Sequence, residues 1–239
     1  HFESVSRVSV SDLYPEPNTI FEDRSGNILR WIPDAKGERH IWTSLDDIPL
    51  VIQNAFISAE AHRFYSHPGV DVLAILRAVK SNFTEGHIVS GASTLTQQLS
   101  RLTYPRKRTY YDKLVELLRS MRIELLLDKE QILELYLNRV PLGNNLVGVK
   151  AGSKVYFGKI LSRLTHSEAA MLAALPKAPG KLNPYGRNIS SLIERKNWVL
   201  RKMNTNEHIS SDMLHASLQD IPTLKPKYFP FGAPHFINQ

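Results

Sequence analysis

The sequence predicts a mainly α-helical fold with a small β-containing segment at the N-terminus, and three observations lead to this class. The first 46 residues contain the short extended runs typical of strands, whereas from residue 47 onward apolar residues recur at helical spacing nearly to the end of the chain. Of the 239 residues, 42% are hydrophobic and 22% are charged, a composition typical of a chain that folds around a buried core. We therefore divide the chain into an N-terminal segment (1–46), a helical domain (47–205) and a C-terminal extension or linker (206–239).

The N-terminal segment has the pattern of a β-hairpin. Two apolar runs, 19–21 and 28–32, flank the turn-forming stretch Asp23-Arg24-Ser25-Gly26.

The helical domain carries start and stop signals as well as apolar periodicity. Thr165-x-x-Glu168 and Ser191-x-x-Glu194 are patterns in which side chains bind the free amides of a first helical turn. Gly158 stands where a helix-ending residue is expected. Pro49 suits the first position of the first predicted helix. The further predicted helices cover 71–83, 93–102, 109–127, 129–139, 146–157, 166–175, 191–204 and 210–218.

Charge and composition narrow the function classes. A net charge of +7 and a pI near 9.5 favour anionic partners such as phosphates, nucleic acid or acidic lipid. The absence of cysteine excludes disulfides, thiolate metal sites and a cysteine nucleophile. No His-Glu-x-x-His or Gly-x-Ser-x-Gly pattern occurs, and nucleic acid is supported by charge alone. No apolar run is long enough for a membrane span, and we expect the chain to be a processed or excised piece.

Three segments have residues suited to chemistry, and each also has a structural interpretation. Glu60 lies at the end of the first predicted helix, just before a stretch that contains Phe64 and His67. Its carboxylate is a candidate general acid or base. The structural alternative is a solvated helix-end glutamate beside a turn. The run 90–101 leads into a helix whose N-terminus suits an anion, although ordinary capping explains it equally well. The run 101–116 contains five cationic side chains and fewer acidic ones, so it could bind a diphosphate or nucleic acid. The structural alternative is that these cations form surface ion pairs.

Together these segments resemble glycosyltransferase family 51, the peptidoglycan glycosyltransferase domain of class A penicillin-binding proteins and monofunctional transglycosylases. The resemblance covers about residues 18–205, with five motifs in the order of the family. Two positions depart from it, since Ala61 and Asp112 replace an aspartate and an arginine. The first four motifs match Glu60–Gly69, Gly91–Gln98, Lys113–Glu116 and Ile132–Asn138, and the fifth, later segment matches Ala173–Pro179 together with Asn183-Pro184.

The resemblance implies a lysozyme-like, two-lobed helical fold and an enzyme that polymerises lipid II into β-1,4-linked glycan strands, releasing undecaprenyl diphosphate. It implies Glu60 as general base and Glu116 as a second carboxylate near the diphosphate. Glu134 and Tyr136 are expected to be scaffold, and the apolar stretch 72–89 suits the lipid-facing jaw of the family. The implied substrate-binding residues are Phe64, His67, Ser93, Thr94, Gln97, Gln98, Arg101, Arg108, Lys113 and Arg195.

The resemblance also implies partners and surroundings. We expect no protein-bound cofactor, with Mg²⁺ as the divalent cation that would accompany the substrate diphosphate. The partners are lipid II, the growing strand, the membrane surface and a moenomycin-type inhibitor, but not nucleic acid. The expected place is the outer face of the cytoplasmic membrane, with an anchor and a transpeptidase domain outside this chain. Two alternatives stay open: a lysozyme-like glycan hydrolase, and a catalytically impaired module that binds lipid II or glycan.

Overall fold

The computed structural model describes residues 8–16, 18–24, 28–60, 64–66, 93–105, 107 and 109–227. The strands are β1 (Thr19–Glu22), β2 (Ile28–Ile32), β3 (Arg39–His40), β4 (Pro141–Gly143) and β5 (Leu146–Val147). The α-helices are α1 (Leu50–Glu60), α2 (Leu95–Thr103), α3 (Tyr110–Leu126), α4 (Lys129–Arg139), α5 (Val149–Gly152), α6 (His166–Ala174), α7 (Ile189–Thr205) and α8 (Ser211–Gln219). The mainly α-helical class is therefore confirmed, while the predicted helix at 71–83 lies outside the described residues.

The predicted N-terminal hairpin is present as the antiparallel pair β1–β2, in which Thr19 lies opposite Ile32. Trp31 is buried, and its indole nitrogen donates to Asn18 Oδ1 at 2.6 Å. The same oxygen accepts from the backbone nitrogen of His40 in β3 at 3.1 Å. Asn18 therefore joins the hairpin to the second sheet, in which β5 pairs with β3 in parallel and with β4 in the antiparallel direction.

Two of the predicted helix boundaries agree with the structure, and two predictions about helix starts do not. Thr165 and Glu168 form the predicted capping box at the start of α6, and Gly158 adopts the left-handed φ of 64° at the end of a π-helical turn. Ser191 does not cap α7, because this helix begins two residues earlier, after Asn188. The predicted helix over 146–157 is shorter than expected, because its first two residues pair as β5 with a strand more than a hundred residues earlier in the chain.

The helices form two groups, which meet where Phe56 of α1 packs against Tyr136 of α4. The first group packs α6 against α1 and α7, and α6 is buried along its length from Ser167 to Ala174. In the second group α2 packs against α3 and α4. The buried ammonium of Lys196 in α7 donates to the carbonyl oxygens of Ser217 and Asp220, which ties the end of α8 to the core. Within the described part of the chain, no helix has the length and apolar character needed to cross a bilayer.

Candidate active site

Glu60 is the last residue of α1, and its carboxylate is turned toward α2. Its Oε2 accepts a hydrogen bond from the side-chain amide of Gln98 at 2.7 Å. Its Oε1 is buried and has no hydrogen-bond partner among the described residues. Burial raises the pKa of Glu60 above its ordinary value, against the opposing effects of Gln98 and of nearby cations. The alternative of a fully solvated helix-end glutamate therefore does not describe this side chain.

Gln98 is held from its other side by α4. The hydroxyl of Tyr136 donates to Gln98 Oε1 at 3.3 Å, so Glu60, Gln98 and Tyr136 form one chain of hydrogen bonds. Tyr136 is completely buried and packs edge-on against Phe56 of α1. Glu134 of the same motif accepts from the backbone nitrogen of Leu45 at 2.7 Å, as expected of a scaffold residue.

Among the described residues, three cations lower the pKa of the Glu60 carboxylate against the effect of burial: Arg195, Lys177 and Arg101, in decreasing order of influence. Arg195 lies with its guanidinium 3.7 Å from the centre of the Trp198 ring, and its Nε is buried without a hydrogen-bond partner in the described structure. Burial lowers the pKa of Arg195, and the charge of Glu60 opposes this effect. These atoms of Glu60 and Arg195 are two of the buried side-chain atoms without a partner in the described structure, and such atoms are available to a ligand.

Lys177 belongs to the charged environment of Glu60 but was absent from the residues predicted to bind substrate. It ends the 3₁₀ helix Leu175–Lys177 that directly follows α6. The sequence signal was the run Ala173–Pro179, which we matched to the family without assigning a role to its lysine. Its place beside α1 depends on how α6 packs on that helix, which periodicity does not show.

A second polar cluster is centred on Lys113, in the first turn of α3. Its ammonium donates to Ser93 Oγ at 3.0 Å and to Gln97 Oε1 at 3.2 Å, and it forms an ion pair with Glu116. The side chain of Lys113 is 48% exposed and that of Glu116 is 13% exposed, so the cluster opens to solvent on the lysine side. We call these four residues the Lys113 cluster. It can receive an anion that replaces one of the three partners of the ammonium.

The N-terminal part of α2 contacts both Glu60 and the Lys113 cluster. Thr94 is the N-cap, and its hydroxyl accepts from the backbone nitrogen of Gln97 at 3.2 Å, as the capping interpretation predicted. Successive helix residues point about 100° apart. Gln97 therefore contacts the Lys113 cluster while Gln98 contacts Glu60, and one short helix positions both.

The other predicted residues have different surroundings. Phe64 is completely buried, and the ammonium of Lys129 lies 4.7 Å from the centre of its ring, so its observed contacts are packing contacts. Asp112, one of the two departures from the family pattern, lies in the first turn of α3 and accepts from Thr109 Oγ1 at 2.6 Å. A carboxylate is favourable at this end of a helix. His67, Arg108 and Ala61 lie outside the described residues, as does the apolar stretch 72–89.

Comparisons with known proteins show which family the chain is similar to. The family model described as Transglycosylase matches residues 25–204. The chain is 41% identical to penicillin-binding protein 1A of Aquifex aeolicus over 201 residues, which is 80% of this chain and 28% of that protein. It is 44% identical to penicillin-binding protein 1A of Escherichia coli over 174 residues, covering 72% of this chain and 20% of that protein.

A solved structure shows the same fold. The crystal structure of penicillin-binding protein 1A from Haemophilus influenzae superposes with a TM-score of 0.52 at 24% identity, over 94% of this chain and 23% of that one. The fold and the family model together define a helical transglycosylase domain. The chain belongs to the transglycosylase family, and it spans less than a third of the length of the curated relatives named above.

Proposed function

We propose that this domain polymerises lipid II into β-1,4-linked glycan strands, with Glu60 as the general base. The observation that carries the proposal is the Glu60 carboxylate, which has one oxygen fixed by Gln98 and the other buried and without a partner in the described structure. A general base needs a free lone pair in a fixed position and a pKa close to the working pH. Burial moves the pKa of Glu60 in that direction.

In the proposed reaction Glu60 Oε1 accepts the proton of the acceptor 4-hydroxyl of lipid II. The hydroxyl oxygen forms a bond to the anomeric carbon of the growing strand, and the bond from that carbon to undecaprenyl diphosphate breaks with inversion. Both electrons of the broken bond leave with the diphosphate, whose charge must be neutralised. A base positioned in this way typically contributes about 10²–10⁴-fold to the rate.

We assign the cations of the site to two roles, one at the donor diphosphate and one at the base. We assign the Lys113 cluster to the donor diphosphate, because its ammonium is partly exposed and its partners Ser93 and Gln97 can be exchanged for phosphate oxygens. Glu116 holds the lysine and would position a cation or hydroxyl at that diphosphate. Arg101, Lys177 and Arg195 act electrostatically around Glu60 and the reacting sugars.

A divalent cation would be held mainly by the substrate. The described residues contain no group of three His, Asp or Glu side chains that could hold a metal, and Glu116 is the carboxylate that forms the ion pair with Lys113. We therefore propose that Mg²⁺ is shared between the diphosphate and Glu116. A phosphoglycolipid of the moenomycin type is expected to bind the same cluster through its phosphate.

The exposed face of α3 supports a place at the membrane surface. Tyr110 and Leu125, at its two ends, are 99% and 86% exposed, and Leu114, Leu118 and Met121 between them are also exposed. Their spacing of three or four residues puts them on one face of the helix. An apolar face on the helix that carries Lys113 suits a lipid bilayer from which the diphosphate head group of the substrate projects. We propose the outer face of the cytoplasmic membrane, with the anchor outside this chain.

Product analysis with labelled lipid II in detergent tests the proposal, with Mg²⁺ or with a chelator. We expect strands resolvable by size, fewer of them without Mg²⁺, and inhibition by a moenomycin-type phosphoglycolipid. Soluble fragments released from preformed glycan, without polymer, would instead support the hydrolase. Retention of lipid II without any product would support the binding module.

A further inference from the structure

We infer that Tyr136 is a positioning residue for the base, because its buried hydroxyl fixes the Gln98 amide in the orientation that donates to Glu60. The inference rests on the proposed role of Glu60 and deepens it. The geometry is the chain of hydrogen bonds from Tyr136 to Gln98 at 3.3 Å and from Gln98 to Glu60 at 2.7 Å.

The phenol of Tyr136 keeps its proton and needs an acceptor for it. Tyr136 is completely buried, and burial raises its pKa well above the ordinary value, so the hydroxyl stays protonated. A buried O–H group needs an acceptor, because leaving it unsatisfied costs as much as a lost hydrogen bond. The acceptor that the structure provides is Gln98 Oε1.

The oxygen and the nitrogen of the Gln98 amide have different hydrogen-bonding roles. A glutamine side chain has an oxygen that only accepts and a nitrogen that only donates. With the oxygen held by the phenol, the nitrogen must face Glu60 Oε2, where it donates to the carboxylate. The reversed amide would place two acceptors against each other at Glu60 and remove the acceptor of the phenol proton. Tyr136 therefore excludes the reversed orientation.

The hydrogen bond from Gln98 affects the ionisation of Glu60. Among the described residues, the charged groups that act on Glu60 are Arg101 from α2, Lys177 from the turn after α6 and Arg195 from α7, with the neutral Tyr136 on the α4 side. Burial disfavours the ionised form of Glu60, so the Gln98 hydrogen bond helps to keep it ionised. Releasing the amide would leave less ionised base in acid, whereas at high pH the base would still be ionised.

The test measures kcat/KM of Tyr136→Phe for lipid II across the acidic and alkaline ranges. We expect a loss of about tenfold on the acidic side, recovery toward the wild-type rate on the alkaline side, and unchanged retention of lipid II. Tyr156→Phe is the matched control, since Tyr156 is equally buried but donates to the Leu142 carbonyl at 2.7 Å. It should leave the pH profile unchanged.

A second variant keeps the inference testable if Tyr136→Phe does not fold. Gln98→Met should give the same pH-dependent loss, and the double variant should lose no more than Gln98→Met alone. A loss that is equal at every pH, or additive losses, would overturn the inference. Glu60→Gln is run in parallel: if it polymerises normally, the proposed base is wrong, whereas if it is inactive while Tyr136→Phe behaves as wild type, only the role of Tyr136 is wrong.

Discussion

Replacing the buried base should make the protein more stable as well as less active. The pKa of Glu60 is raised from its ordinary value of 4.5, which means that the folded protein disfavours the charged carboxylate despite Arg195, Lys177 and Arg101. The stability present while Glu60 is protonated is therefore lost as the pH rises from the ordinary pKa through the raised folded pKa. Glu60→Gln should avoid that loss at neutral pH.

The size of the effect follows from the charge on the buried carboxylate. Glu60 Oε1 is buried without a hydrogen bond in the described structure. Glutamine leaves a polar atom buried at the same place but removes the charge, and an unsatisfied buried group costs about 1–3 kcal/mol when it is neutral and more when it is charged. Since the loss of attraction to three cations offsets part of the gain, we expect Glu60→Gln to be more stable by about 1 kcal/mol at neutral pH. For a chain of this size that corresponds to an increase in Tm of about 2–4 °C.

Thermal unfolding at neutral pH and below pH 4.5 is the assay. The gain should be present at neutral pH and should vanish in acid, where the wild-type Glu60 is itself protonated. Glu130→Gln, on the exposed first turn of α4, is the matched control and should show no such gain. A Glu60→Gln protein that is less stable at neutral pH, or a difference that does not change with pH, would refute this reasoning.

Three further substitutions test the site and the fold. Lys113→Met should weaken the retention of lipid II by about tenfold, measured in detergent, because it removes the cation of the cluster; unchanged retention would contradict the assignment. Gly148→Ala should cost about 2 kcal/mol or more in chemical denaturation, because Gly148 has a φ of 83° and a Cβ would lie 2.8 Å from the Asn138 carbonyl; wild-type stability would be inconsistent with this geometry. Thr165→Ala should cost about 1 kcal/mol through loss of the α6 capping box, whereas Thr165→Ser should retain most of the stability.

Local sequence signals predicted much of the fold. Apolar periodicity placed α2, α3, α4 and α6 to within two residues of their ends, because these helices bury one face or the whole of their length. The capping interpretation failed at Ser191, since side chains that can cap are also tolerated inside a first helical turn. The β5 strand could not be predicted, because its pairing with β3 depends on the tertiary fold and not on local propensity.

The candidate site could be proposed from the sequence as a set of residues but not as an arrangement. The sequence motifs include Glu60 and Gln98, but these residues are 38 positions apart, so local sequence does not show that their side chains contact each other. Gln98 and Tyr136 are also 38 positions apart. Lys177 and Arg195 come from still later helical segments and reach Glu60 only through the packing of α6 and α7. Burial of the carboxylate, which sets its chemistry, is likewise a property of the packed helices.

The most direct test of the central claim compares wild-type protein with Glu60→Gln for both polymerisation and retention of labelled lipid II. We expect long strands from the wild type, a rate lower by about 10²–10⁴-fold for Glu60→Gln, and equal retention of lipid II by both. Glu130→Gln should polymerise as the wild type does. Polymerisation by Glu60→Gln at the wild-type rate would contradict the assignment of Glu60 as the base.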